Sequence, residues 1–247
     1  MKIIDITRTL QEAPCYPGDP APEVERVSSM LEGDAATVSR VTARTHAGTH
    51  ADAPLHFIPT GAAIDELPLE NFCGPCRVLT VPKDEMVKLS DIRGRFIGVE
   101  RIALRGGAAV LCEEAADYIA QCGVKALVTE SLSVGPEDNE AVIHQTLLGA
   151  GVAVIENADL SGAADGDYLL FAFPVKYGGC DGAPVRAVLL CEDPPEPRED
   201  TKIFPEPDAL SAEEPLPQTE SDTAAEETES PEPEPEALSE GAGGAGA

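Results

Sequence analysis

The opening segment Met1-Lys2-Ile3-Ile4-Asp5-Ile6-Thr7-Arg8-Thr9-Leu10 alternates apolar and polar side chains, the period-two pattern of a strand. The same alternation, or a short apolar run bounded by turn residues, predicts further strands near residues 37–46, 76–82, 101–105, 124–130, 152–156, 168–175 and 184–191. Two segments follow helical periodicity instead. Residues 113–121 (EEAADYIAQ) close before Gly123, a residue suited to a helix C-terminus, and residues 140–148 (EAVIHQTLL) close at Gly149. Between residues 101 and 156 the order is strand, helix, strand, helix, strand, which predicts a parallel layer with crossover helices. The flanks are β-rich with tight turns. The expected fold class is therefore α/β, a single domain mixing parallel and antiparallel β-layers with a few crossover helices, and there is no internal repeat.

Composition changes this picture at one end. With 247 residues and 43% hydrophobic content the chain can bury one ordinary core. However, 18 of its 45 acidic residues and only two of its 17 basic ones follow Cys191. That stretch is rich in proline, glutamate and alanine and offers almost nothing to bury, so residues 1–191 are expected to form the domain and residues 192–247 a disordered acidic tail. The net charge of -28 repels phosphate backbones and anionic membrane surfaces, which argues against nucleic acid and membrane partners. No stretch approaches the roughly 20 apolar residues of a membrane span, and the N-terminus lacks the apolar centre of a signal peptide. A cytoplasmic protein is the expectation.

The seven cysteines are odd in number and scattered, as befits reduced thiols. Cys73-Gly74-Pro75-Cys76 has the spacing of a redox pair, but such a thiolate is activated at a helix N-terminus. Here Cys76 opens a β-type alternation, so Gly74-Pro75 is expected as a turn entering a strand, with the cysteines structural.

Candidate chemistry concentrates in residues 45–57, THAGTHADAPLHF, which hold three of the four histidines. His46, Gly48, His50, Asp52, Pro54 and His56 all fall on even positions, and an extended chain would place them on one side. A helix would align His46 with His50 but swing Asp52 away, and Gly48 and Pro54 disfavour it. Converging imidazoles and a carboxylate suit a borderline divalent ion such as zinc, and also manganese or iron.

The pattern H-x-G-T-H-x-D-x-P-x-H, here His46 to His56, resembles the signature of the cyclase family, which includes bacterial kynurenine formamidases and isatin hydrolases. The resemblance covers most of residues 1–191, through Asp5-Ile6-Thr7, Tyr16-Pro17-Gly18-Asp19, His56-Phe57, Gly166-Asp167-Tyr168 and Gly182-Ala183-Pro184-Val185-Arg186-Ala187-Val188. It implies the family's swivelling β/β/α-like fold, with His46, His50 and Asp52 as metal ligands and His56 as the catalytic acid/base. It also assigns His144 and Glu156 as ligands; taken alone, a histidine on an amphipathic helix is more often an ordinary interfacial residue. Two zinc ions per subunit are implied, with manganese as the alternative and Asp52 as a possible bridge. The implied reaction is metal-assisted amide hydrolysis, as in an arylformamidase converting N-formyl-L-kynurenine to kynurenine and formate. An isatin-type cyclic-amide hydrolase is the alternative, and a metal-binding protein without catalysis a third reading. Tyr16 stands where the formamidases place a tryptophan that stacks on the aryl substrate. The implied partners are a small-molecule amide and further copies of the chain, in a homodimer or homotetramer.

Overall fold

The structure, a computed structural model, describes residues 1–192. The expected tail lies outside the described residues apart from Glu192. In chain order the elements are β1 (Lys2–Asp5), β2 (Glu23–Ser28), β3 (Val38–Thr42), β4 (His50–Asp52), β5 (Cys73–Thr80), β6 (Met86–Val87), α1 (Leu89–Ile92), β7 (Arg101–Arg105), β8 (Val110–Leu111), α2 (Glu113–Gln121), β9 (Ala126–Thr129), α3 (Glu140–Gly149), β10 (Ala153–Glu156), β11 (Gly166–Phe171), β12 (Gly182–Pro184) and β13 (Val188–Cys191). Nine of these strands form one mixed sheet in the order β1, β13, β11, β5, β7, β9, β10, β4, β12. Its centre, β5 through β10, is parallel and is wound by α2 and α3, as the strand and helix pattern predicts.

Alternate residues of the central strands serve different cores. Ile102, Leu104, Leu127 and Val154 pack with Ile119, Ile143 and Leu147 of the helices, whereas Ala103, Val128 and Ile155 face the other way. With both faces buried, these strands read as unbroken apolar runs. Cutting Leu147 back to alanine removes contacts worth about 2–5 kcal/mol.

The second core draws on all nine strands, from Ile4 of β1 to Ala183 of β12, and the connection between β12 and β13 explains how. Laid flat at about 4.8 Å per strand, those two would stand roughly 34 Å apart. The chain joins them through residues 185–187 alone, a link that reaches at most about 14 Å. The sheet therefore curls until its two margins nearly meet, and small residues such as Ala51, Ala153 and Ala183 fill the tight interior.

Three sequence expectations change at this point. The strand expected over 184–191 is two strands near opposite margins of the curled sheet, because the chain turns between them. Gly74 and Pro75 lie within β5 itself, Gly74 at φ +129, so the strand begins at Cys73 and not after a turn. Burial pushes the Cys76 thiol up to about 12, in keeping with the structural role expected of it. Finally, β2 pairs with β3 in a separate exposed hairpin. Among the described residues no helix is long and apolar enough to cross a membrane.

Candidate metal centre

Of the run from His46 to His56, only His50–Asp52 is extended. His46 sits in the preceding turn, and Pro54–His56 form a 3-10 turn whose Ile58 N–H donates to the Pro54 carbonyl. The even spacing thus places His50 and Asp52 on one side of β4, while local turns bring in His46 and His56. Gly48 takes φ +68, a left-handed conformation that a side chain would strain. Thr49 anchors the turn: its Oγ1 donates to the Asn157 carbonyl and accepts from the Arg8 N–H, tying the motif to the end of β10.

Strand register does the rest. β4 runs antiparallel to β10 with His50 opposite Glu156, and α3 delivers His144 from the helix layer. His50 Nδ1 donates to the Gly48 carbonyl and His144 Nδ1 to the Glu140 carbonyl, each at 2.8 Å, so Nε2 is the nitrogen that each ring turns to the cluster. His50 Nε2 lies 3.3 Å from Asp52 Oδ1 and 3.5 Å from Glu156 Oε2; His144 Nε2 lies 3.2 Å from Glu156 Oε1 and 3.5 Å from Asp52 Oδ2. Four donors about 2.1 Å from a common tetrahedral centre stand about 3.4 Å apart. Two buried atoms of the cluster, His50 Nε2 and Asp52 Oδ2, have no hydrogen-bond partner. They are close to their neighbours but aimed past them, and a divalent cation is the group that satisfies such a set. The residues fit one.

The electrostatics agree. Burial alone would discharge His50 and His144, but the flanking Asp52 and Glu156 carboxylates outweigh it and lift both to about 10. Asp52 is held well below the usual carboxylate range by its three imidazole neighbours despite complete burial. In the metal-free protein two imidazolium ions therefore neutralise two carboxylates in a dry site.

His46 and His56 occupy the open side. His46 Nδ1 approaches Asp52 Oδ1 at 2.8 Å, and its Nε2 approaches Asp181 Oδ2 at 2.9 Å. His56 stacks on His46 with ring centroids 3.9 Å apart, and its Nδ1 lies 3.5 Å from the same Asp181 oxygen. Desolvation lowers the His56 pKa, only partly countered by Asp52. Donor atoms thus form two groups that share Asp52: His50, Asp52 and Glu156, and His46, Asp52 and His56. Asp181 is the residue that sequence reasoning missed, since the dipeptide Asp181-Gly182 reads as a simple turn. The following glycine is constrained: a Cβ at Gly182 would come within 2.8 Å of His46 Cε1.

Above the cluster opens a cavity of about 550 Å³ lined by these histidines, Phe57, Leu132, Tyr16 and the charged groups Asp19, Arg44, Glu140 and Asp181. Tyr16 lines it as well, its hydroxyl donating to Glu140 Oε2 at 2.8 Å.

The cyclase family model matches residues 4–136. The chain belongs to the cyclase family. A kynurenine formamidase from Bacillus cytotoxicus is 32% identical over 200 residues, covering 75% of this chain and 96% of that protein. Among solved structures, one described as a potential metal-dependent hydrolase with cyclase activity superposes with a TM-score of 0.66 at 28% identity, over 76% of this chain and 96% of its own. Isatin hydrolase A from Labrenzia aggregata shares the fold, with a TM-score of 0.67 at 21% identity over 76% and 93% of the two chains. This cyclase-family chain is a hydrolase by that kinship, and its cluster of histidines and carboxylates accords with dependence on a divalent metal.

Proposed function

We propose that this protein is an arylformamidase that hydrolyses N-formyl-L-kynurenine to kynurenine and formate. The observation that carries the reading is the buried convergence of His50, Asp52, His144 and Glu156 beneath a cavity that also holds a neutral histidine. The similarity to a kynurenine formamidase supports the choice of substrate. His50, Asp52, His144 and Glu156 would hold one zinc or manganese ion, and His46 with Asp52 a second. A divalent ion supplies a Lewis acid for the amide carbonyl and lowers the pKa of water towards about 7.

The protein's own groups perform the proton transfers. His56, kept uncharged at neutral pH by burial, has its Nδ1 beside Asp181, which leaves Nε2 as the ring's proton acceptor. It takes a proton from the attacking water and returns it to the departing arylamine, so the same ring is base and then acid. Stacking on His46 and an edge-to-face contact with Phe57 hold the ring in place. Tyr16, 37% exposed at the cavity wall, offers a face to the aryl ring. Self-association as a dimer or tetramer belongs to the same proposal, and it would cover the exposed valines of the β2 and β3 hairpin, Val24, Val27, Val38 and Val41; sedimentation tests it.

The decisive assay supplies purified protein, reconstituted with zinc or with manganese, with N-formyl-L-kynurenine beside isatin. Release of kynurenine well above isatin opening is expected. Turnover of isatin alone would transfer the proposal to cyclic amides, and turnover of neither would end it.

A further inference from the structure

The cavity has two unlike ends. Beneath it lies the histidine and carboxylate cluster, and at its rim stand Tyr16, Asp19, Arg44 and Glu140. A tight turn sets the first two: the Asp19 N–H donates to the Tyr16 carbonyl at 3.0 Å, with Pro17 and Gly18 between them and Gly18 at φ +91. That is a type II turn, and it projects an aromatic ring and a carboxylate from its two ends. Arg44 belongs to the metal motif itself, since its carbonyl accepts from the Ala47 N–H in the turn that carries His46. Glu140 opens α3 one turn before His144. Each rim residue is thus tied to an element that also places the cluster.

Histidines aside, Arg44 is the one cation among the residues lining this cavity, against the carboxylates of Asp19, Glu140, Glu156 and Asp181. Glu156 is committed to the cluster and Asp181 to His46 and Thr45. What remains at the rim is one guanidinium, two carboxylates and one aromatic face. Asp19 engages Arg44 Nη1, and among the described residues no acceptor engages Nη2 or Nε. A guanidinium with free N–H groups at a cavity mouth is suited to a bidentate hold on a carboxylate. Asp19 Oδ1 is taken by Arg44 and Glu140 Oε2 by the Tyr16 hydroxyl, so each carboxylate keeps its second oxygen for an ammonium group in the same cavity.

We propose that Arg44, with Asp19 and Glu140, binds the zwitterionic amino-acid end of the substrate, so that the enzyme selects aryl formamides bearing an α-amino-acid group over neutral formamides and cyclic amides. The proposal rests on the formamidase reading and adds to it the residues that set specificity. Arg44 is a specificity residue here and takes no part in bond cleavage.

Two measurements test it on the full-length, zinc-loaded protein. The first compares kcat/KM for N-formyl-L-kynurenine with that for 2-formamidoacetophenone, the same aryl formamide without the amino-acid end. The wild type should prefer the former, and Arg44→Gln should cut that preference about tenfold, acting through KM and not kcat. Arg44→Lys should restore part of it. The second measurement needs no turnover: kynurenine should bind more tightly than 2-aminoacetophenone by calorimetry, with the difference lost in Arg44→Gln. Equal handling of the two substrates by the wild type, or an Arg44→Gln variant that alters both in proportion, overturns the proposal. If neither formamide is cleaved while kynurenine still binds through Arg44, the rim assignment stands and the formamidase reading falls. If kynurenine also binds no better than 2-aminoacetophenone, both fall.

Discussion

His50 and His56 belong to one short motif, one buried and one partly open to water, yet desolvation lowers both and their surroundings drive them to opposite charge states. His50, 2% exposed, has a carboxylate oxygen of Asp52 and another of Glu156 within 3.5 Å and is lifted to about 10. His56, with 30% of its side chain exposed, reaches a carboxylate only at 3.5 Å, lies against other imidazoles, and is lowered. Burial acts in the same direction on both, so the neighbouring carboxylates decide the sign. On the proposed reading the dry half would exchange protons for a cation, and the open half would accept a proton from water.

The most damaging test of this division attacks the dry half. Asp52→Ala and His50→Ala should both lose metal by elemental analysis, with kcat/KM falling by more than about a thousandfold. Asp52→Ala should lose the more, because Asp52 is common to both groups of donors. Full metal occupancy in His50→Ala would show that the buried cluster is only a structural network. The next effect belongs to the open half: His56→Ala should keep its metal while kcat drops about 10² to 10⁴, the usual span for a general acid/base. A metal content as low as that of His50→Ala would merge the two halves into one ligand set.

The gentlest test is a proton count. Because His50 and His144 sit near 10 in the metal-free protein, loading at pH 7 should release about two protons per ion at the buried cluster, read from calorimetry in buffers of different ionisation enthalpy. The sign of the stability effect follows. A raised folded-state value contributes stability that is complete below about pH 6.5 and fades as pH climbs towards 10. The melting temperature of chelated protein should therefore fall more steeply across that window than that of loaded protein. Parallel slopes would mean that the imidazoles are already neutral without metal.

These contrasts also mark what the sequence could disclose. The helix over Glu113–Gln121 was legible to the residue, because its apolar period is intact and Gly123, at φ +70, ends it. The parallel strands were legible because both their faces are buried. The β2 hairpin was hidden: with no core behind it, Glu23–Ser28 is exposed throughout or nearly so, and its alternation carries no burial signal. The break between β12 and β13 was hidden for another reason, since two short apolar strands separated by residues 185–187 look like one. At the site, the residue types and spacing from His46 to His56 were enough to suggest a metal. Asp181 and Arg44 were not visible, and Asp19 was legible only as part of its turn, because only the folded chain shows which turns meet.

The curled sheet sets an order of events for folding. β1 has a single neighbour in the sheet, and Ile3 pairs with Leu190. While the chain emerges from a ribosome, β1 must wait unpaired until almost the whole domain has been made, and the sheet cannot close before then. Such a high contact order predicts slow acquisition of the final structure, after the local strand and helix units over residues 101–156 have formed. Pulse-labelled hydrogen exchange during refolding should find the β1 and β13 amides protected last and those of β7, β9 and β10 protected first. Simultaneous protection would mean that closure of the curl nucleates the fold.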